Sequence, residues 1–172
     1  MSDNGHAGNF DWIRSALDSY ECQLTRYAQR IIGDAEQARD VVQETFLCLC
    51  REKPSHLDGH LAEWLFTVCR NYALDVRRKE SRMSTFSDPQ VTALQTREPP
   101  PLLAAQMRDE TGRVLKLLDR LPDNQREVIR LKFQNGLSYR EISRVAGLSV
   151  SNVGYLIHQG LKTLRSQMNP ET

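Results

Sequence analysis

Hydrogen-bonding side chains gather near the C-terminal end of the chain. Ser151, Asn152, Tyr155, Gln159 and Lys162 recur at helical spacing, and bring donors, acceptors, one aromatic ring and one charge to a common face. Such a face suits the edges of DNA bases, because asparagine can bond adenine through two contacts and a tyrosine ring can meet a thymine methyl. Lys162 and Arg165 suit backbone phosphates instead. A second set, Asp40, Gln43, Glu44 and Leu47, is acidic with an apolar centre, the make-up of a protein-docking patch. A third, Arg70, Asn71, Arg77 and Arg78, joins bases for phosphates to an amide able to hold a nucleobase. An ordinary solvated helix face is the plain alternative for each set.

Metal and enzyme chemistry fit less well. Cys48, Cys50, His56 and His60 invite a zinc or redox reading. Two cysteines two positions apart on a helix point about 200° apart, however, so one metal ion takes both only if the helix frays. Asp40 and Glu44 share a helix face, yet no histidine, glycine-rich phosphate loop or nucleophile–base set accompanies them. No catalytic residue, no metal and no cofactor is expected.

The elements that must position these residues are all helical. Ser138 followed by Glu141 is a capping box, and Ser149 caps a second helix whose apolar stripe is Val150, Val153, Ile157, Leu161 and Leu164. Between them Ala146-Gly147-Leu148 supplies a small residue, a left-handed stop and an apolar anchor. A short helix, a glycine turn and a longer helix make a helix-turn-helix, whose second helix enters the major groove.

Earlier in the chain, a helix is expected over 11–32, with Trp12, Leu17, Leu24, Ala28, Ile31 and Ile32 inward and Gly33 as its stop. Asp34 opens the next, which runs to about Glu52 before Pro54, with Ala35, Ala38, Val42, Phe46 and Leu49 as the buried stripe. After a loop over 54–60, a third helix over 61–82 buries Leu61, Leu65, Val68, Tyr72 and Val76, with Trp64 at the core's edge. Residues 83–101, with three consecutive prolines at 99–101, lose periodicity and are expected to form a flexible linker. Helices resume from about Leu102, with Val114, Leu117, Leu118 and Leu121 inward. A helix opened at Pro122 follows and buries Val128, Ile129, Leu131 and Phe133. The expected fold is all-α: two small helical domains, 10–82 and 102–168, joined by the linker 83–101.

Net charge is only +1, so the whole-chain balance does not announce a nucleic-acid partner, but the distribution does. Residues 122–168 carry seven Lys/Arg against three Asp/Glu, whereas residues 34–50 carry one Arg against four acids. A basic end and an acidic patch imply partners of opposite sign. The start, Met-Ser-Asp-Asn-Gly-His, has no basic or apolar leader pattern, and no run approaches a membrane span, so a cytoplasmic location without membrane insertion is expected. The four cysteines, Cys22, Cys48, Cys50 and Cys69, are then expected as reduced residues on helices, where buried free cysteine is a common small hydrophobe.

In order along the chain, Asp40-Val-Val-Gln43-Glu44-Thr-Phe46, then Trp64 to Arg78, then Leu121-Pro122 with Arg126 and the helix-turn-helix, resemble the extracytoplasmic-function sigma factors of bacterial RNA polymerase. The resemblance covers roughly 15–82 and 105–166. It implies a sigma region 2 domain that docks on the clamp helices of core RNA polymerase through Asp40, Gln43, Glu44 and Leu47. It implies recognition and melting of the −10 element by Arg70, Asn71, Arg77 and Arg78, with Asn71 holding a flipped base. It also implies a region 4 domain, in reach of the polymerase flap, that reads the −35 element of promoter DNA through Arg140, Ser149, Ser151, Asn152, Tyr155, His158, Gln159 and Lys162. An anti-sigma factor is a further implied partner. The family's recognition helix usually carries basic residues where this chain has Gly154, Leu156 and Gln159, which implies fewer phosphate contacts. The other function considered is a stand-alone helix-turn-helix regulator that never joins polymerase; it leaves the acidic face unexplained.

Overall fold

The computed structural model describes residues 4–84 and 108–169. Seven helices account for nearly all of these residues, and no strand occurs among them. The chain divides into two compact units, one of α1 to α3 and one of α4 to α7. Most of the expected linker (85–101) and the expected helical start (102–107) lie outside the described residues. Met83 and Ser84 belong to a helix rather than to the linker.

In the first unit, α1 (Asn4–Ile32) packs on α2 (Ala35–Leu49) and α3 (Leu61–Ser84), which also pack on each other. Gly33 adopts φ 86° between α1 and α2, a conformation open to glycine. Asp34 then caps α2 by accepting from the Gln37 amide at 2.8 Å. The buried arc of α2 is wider than one stripe: Ala38, Val41, Val42, Thr45, Phe46 and Leu49 are buried, while Ala35, in the exposed first turn, is not. Two helices press on α2, so a two-partner arc replaces a single line. Thr45 enters this core because its hydroxyl donates to the Val41 carbonyl at 2.8 Å. The helix stops at Leu49 rather than near Glu52, and the chain passes through a 3₁₀ turn at Pro54–His56 anchored by buried Leu57.

The core face of α3 is rotated from the expected stripe. Leu65, Phe66, Cys69 and Ala73 are buried, whereas Leu61, Val68, Tyr72 and Val76 are half-buried flanks. The reason is the same: α3 sits against both α1 and α2. The Phe66 ring meets Tyr27 of α1 edge-on, with centroids 5.3 Å apart.

Of the cysteines, Cys69 alone is buried; Cys22 and Cys50 are exposed, contrary to a common role as small core hydrophobes. Burial pushes the Cys69 thiol up to about 12, from an ordinary 9.0, with a smaller opposing effect from Thr45. Reaction with iodoacetamide at pH 8 is therefore expected to modify Cys22 and Cys50 first and Cys69 only in denaturant. Peptide mass mapping reads this directly, and early Cys69 alkylation would contradict the core assignment.

In the second unit, α4 (Arg108–Asp119) packs on α7 (Val150–Met168), and α5 (Asp123–Phe133) packs on α6 (Tyr139–Ala146) and α7. Leu117, Leu118, Leu121, Val128, Ile129, Leu131, Ile142, Val145, Val153, Ile157 and Leu164 are buried. Phe133 is 61% exposed, against expectation. It is the last residue of α5, and the chain turns through Gly136 (φ 69°) to put Leu137 into the core instead. Gly160 is buried where α7 crosses α5, and a Cβ there would run into the tip of Ile129. The expected Val150 end of the α7 stripe is open, at 44% exposure, and Leu161 is half-buried.

Candidate functional site

The start of α7 is set by the caps around it. Ser138 and Glu141 form a full capping box, the Glu141 amide donating to Ser138 Oγ at 3.2 Å and the Ser138 amide to Glu141 Oε2 at 2.6 Å. Gly147 turns left-handed at φ 68° after α6, and the Ser143 hydroxyl pins the turn by donating to the Leu148 carbonyl at 2.7 Å. Ser149 starts α7 by accepting from the Asn152 amide at 3.1 Å, so its oxygen serves the helix first. Residues Arg140, Ser149, Ser151, Asn152, Tyr155, His158 and Lys162 are exposed, and Gln159 is partly so. Tyr155, at 60% exposure, is the large apolar group standing furthest into solvent on this helix.

Two positions on α7 exchange roles. Leu156 is buried, so it is not a place where a base would face DNA; a charge there would sit in the core. Val150, read as core, joins the open face. The sequence reading also passed over Tyr139 and Lys132. The Lys132 ammonium lies 5.4 Å from the centroid of the half-exposed Tyr139 ring, which rests beside Gly154. An aromatic residue directly after a capping serine, at the start of the first helix of the motif, was the available signal.

The basic surplus of this unit is smaller at the surface than along the chain. Arg130 is buried and bonded to Asp119 Oδ1 at 2.7 Å. Arg126 donates to the Asp119 carbonyl at 2.9 Å and pairs with Asp123. Both arginines tie α4 to α5, Arg130 from within the core and Arg126 with 27% of its side chain open to solvent.

On α2, Glu36, Asp40, Gln43, Glu44 and Leu47 are all exposed on the face away from the core, with Leu47 at 48%. One turn on, Cys48 is turned toward α3, its sulfur 3.1 Å from the Tyr72 hydroxyl. That hydrogen bond, helped by the nearby Glu44 charge, pushes the Tyr72 phenol above its ordinary value. Cys50 is at the helix end and exposed, so the two cysteines diverge, and no group of three or more His, Cys, Asp or Glu able to hold a metal occurs among the described residues.

On α3, Asn71, Arg77 and Arg78 are exposed, whereas Arg70 is half-buried and has a partner of its own. Arg78 reaches Asp75 at 3.2 Å, an exposed pair that water weakens and that releases the guanidinium readily. Thr67 is turned back on its helix, donating to the Glu63 carbonyl at 2.7 Å. The start of α2 is tied to this helix through Gln37 Nε2 and Glu80 Oε1 at 2.6 Å. No helix among the described residues is long and apolar enough to cross a membrane.

Two family profiles match this chain: Sigma-70 region 2 over residues 16–83, and Sigma-70, region 4 over residues 111–164. The first spans the α2 and α3 faces, the second the helix-turn-helix. The ECF RNA polymerase sigma factor EcfG of Rhodopseudomonas palustris is 32% identical over 144 residues, which cover 83% of this chain and 77% of that protein. ECF RNA polymerase sigma factor SigL of Mycobacterium tuberculosis is 29% identical over 157 residues, 89% of this chain and 86% of that one. SigM of Bacillus subtilis is 28% identical over 159 residues, 91% and 95% of the two chains. Among solved structures, the sigma factor RpoE of Bartonella quintana, in complex with the anti-sigma factor NepR, superposes with TM-score 0.68 at 22% identity, covering 92% of this chain and 98% of that one. CnrH in complex with the cytosolic domain of CnrY gives TM-score 0.61 at 24% identity, covering 96% and 93%. These two share the fold. With both regions matched in order and a relative above 30% identity across most of both chains, the chain belongs to the family of ECF RNA polymerase sigma factors.

Proposed function

We propose that this sigma factor docks on the clamp helices of core RNA polymerase through Asp40, Gln43, Glu44 and Leu47, and divides promoter reading between its two units. Residues 10–82 serve docking and the −10 element, through Arg70, Asn71, Arg77 and Arg78. Residues 102–168 serve the −35 element, through Arg140, Ser149, Ser151, Asn152, Tyr155, His158, Gln159 and Lys162. The observation that carries this reading is the pairing, in one unit, of an exposed acidic face on α2 with an exposed Asn/Arg face on α3. A stand-alone regulator has no use for the first face. The chemistry of transcription belongs to the polymerase, so the chain acts in the cytoplasm as a non-catalytic addressing and melting factor. An anti-sigma factor suits it as a further partner, by likeness to the RpoE–NepR complex.

In the −10 site, the exposed Asn71 amide offers a donor and an acceptor to the Watson–Crick edge of an unstacked base. Arg77 and Arg78 answer phosphates. Asn71→Ala is expected to leave promoter binding by the holoenzyme nearly intact while lowering open-complex formation, read by permanganate footprinting. Arg77→Ala is expected instead to weaken binding and to lower its salt slope by about one. Unchanged melting with Asn71→Ala would remove that residue from the site.

In the −35 site, Asn152→Ala is expected to cost about 1–2 kcal/mol on preferred elements and to shift base preference. Selection from a pool with a randomised upstream element, at fixed salt, measures it. An equal loss on all sequences would place the reading face elsewhere on α7.

A further inference from the structure

We propose that Val150, Gly154 and the Tyr139 ring form an apolar slot that takes the C5-methyl of a thymine in the upstream promoter element. The inference rests on the assignment of α7 to that element. Val150 opens α7 and is 44% exposed, although every other valine described in this unit is buried or half-buried. Gly154 lies one turn later on the same face, since residues four apart are neighbours on a helix.

A Cβ at position 154 would lie 3.6 Å and 3.9 Å from two ring carbons of Tyr139, so the ring faces the open side of Gly154 with room for little more than a methyl between them. Alanine would fit there at ordinary contact; a longer side chain would meet the ring. Lys132, 5.4 Å from the ring centroid, gives the aromatic a second support from α5. The result is a partly exposed apolar surface of Val150, Gly154 and the Tyr139 ring, with the Lys132 ammonium beside the ring and the neighbouring α7 positions Ser151, Asn152 and Tyr155 exposed. Among the bases, thymine presents a methyl group to the major groove, and apolar side chains are what meet it. The slot gives the reading face a way to select a base without a charge, so its contribution does not depend on salt.

The test uses the full chain in holoenzyme with core RNA polymerase. An upstream element is first selected from a randomised pool, and each thymine in it is then replaced singly by deoxyuridine, which removes the methyl and leaves the hydrogen-bonding edge. Wild type is expected to lose about fourfold in binding at one thymine, the factor that burial of one methyl-sized group corresponds to. Val150→Ser and Gly154→Leu are expected to bring that ratio to about one, with an unchanged salt slope. Equal binding of thymine and deoxyuridine at every position, with upstream selectivity intact, overturns the slot and leaves the α7 assignment standing. A Val150→Ser protein that keeps the full ratio also overturns it. Failure to select any upstream sequence overturns both.

Discussion

Replacing Asp40 and Glu44 together by alanine is expected to weaken binding to core RNA polymerase by about 2–3 kcal/mol, between about 30-fold and 150-fold. Both carboxylates are exposed, as are Gln43 and Leu47 around them, and the helix beneath is held by six buried residues on its other side. Removing the charges therefore takes nothing from the core, and the melting temperature should stay within the small range of ordinary surface changes. A single exposed charge contributes little to affinity, but two on adjacent turns beside an exposed leucine make a patch that is desolvated as a whole. The loss should fall partly on the association rate and shrink as salt is raised, whereas Leu47→Ala should act on dissociation and keep its effect at high salt. Fluorescence titration of labelled protein with core polymerase at two salt concentrations separates these. Normal binding by the double variant would move the docking surface off α2.

The parts of the molecule that could be read from residue types are those settled within a few positions along the chain. Asp34, Ser138 and Ser149 cap helices because a short oxygen-bearing side chain reaches an amide two or three residues on, and all three do so. Gly147 stops α6 for an equally local reason. The acidic face of α2 was legible because no element among the described residues packs over it. Where reading from sequence failed, a second or third helix decides the outcome. A single stripe of period 3.6 presumes one partner, but α3 faces two, so Phe66, Cys69 and Ala73 are buried in place of Val68, Tyr72 and Val76.

On α7 the same effect places Leu156 and Gly160 in the core and leaves Val150 outside it. Spacing predicts Phe133 inside and does not single out Leu137; the chain turns at the left-handed Gly136 between them and Leu137 is the one buried. The approach of the Tyr139 ring to Gly154 brings together residues fifteen positions apart on two helices, and spacing along one helix cannot register it. Arg130 counted as surface charge in the sequence and is structural in the fold.

That arginine is the basis of the second large expectation: Asp119→Ala should destabilise the α4–α7 unit by about 2–4 kcal/mol. Arg130 Nη2 donates to Asp119 Oδ1 at 2.7 Å from a side chain only 10% exposed, and its Nε is buried with no hydrogen-bond partner. Burial lowers the guanidinium's pKa, and the Asp119 carboxylate is the main influence opposing that. Taking the carboxylate away leaves a buried cation without its answer, the costly way to break an ion pair. Asp119 is itself 47% exposed, so water reaches one side of the pair, and the cost falls below that of a fully enclosed one. Asp119→Asn keeps an acceptor and should lose less. Asp119→Ala combined with Arg130→Met should recover most of the stability, because no charge is then left in the interior. Urea unfolding of wild type, Asp119→Ala, Arg130→Met and the double variant gives the coupling energy. A stability for Asp119→Ala equal to wild type would mean that the pair does not hold α4 against α5. If the pair does hold them, promoter reading should fail at a lower temperature in Asp119→Ala, since α7 takes its support from both helices.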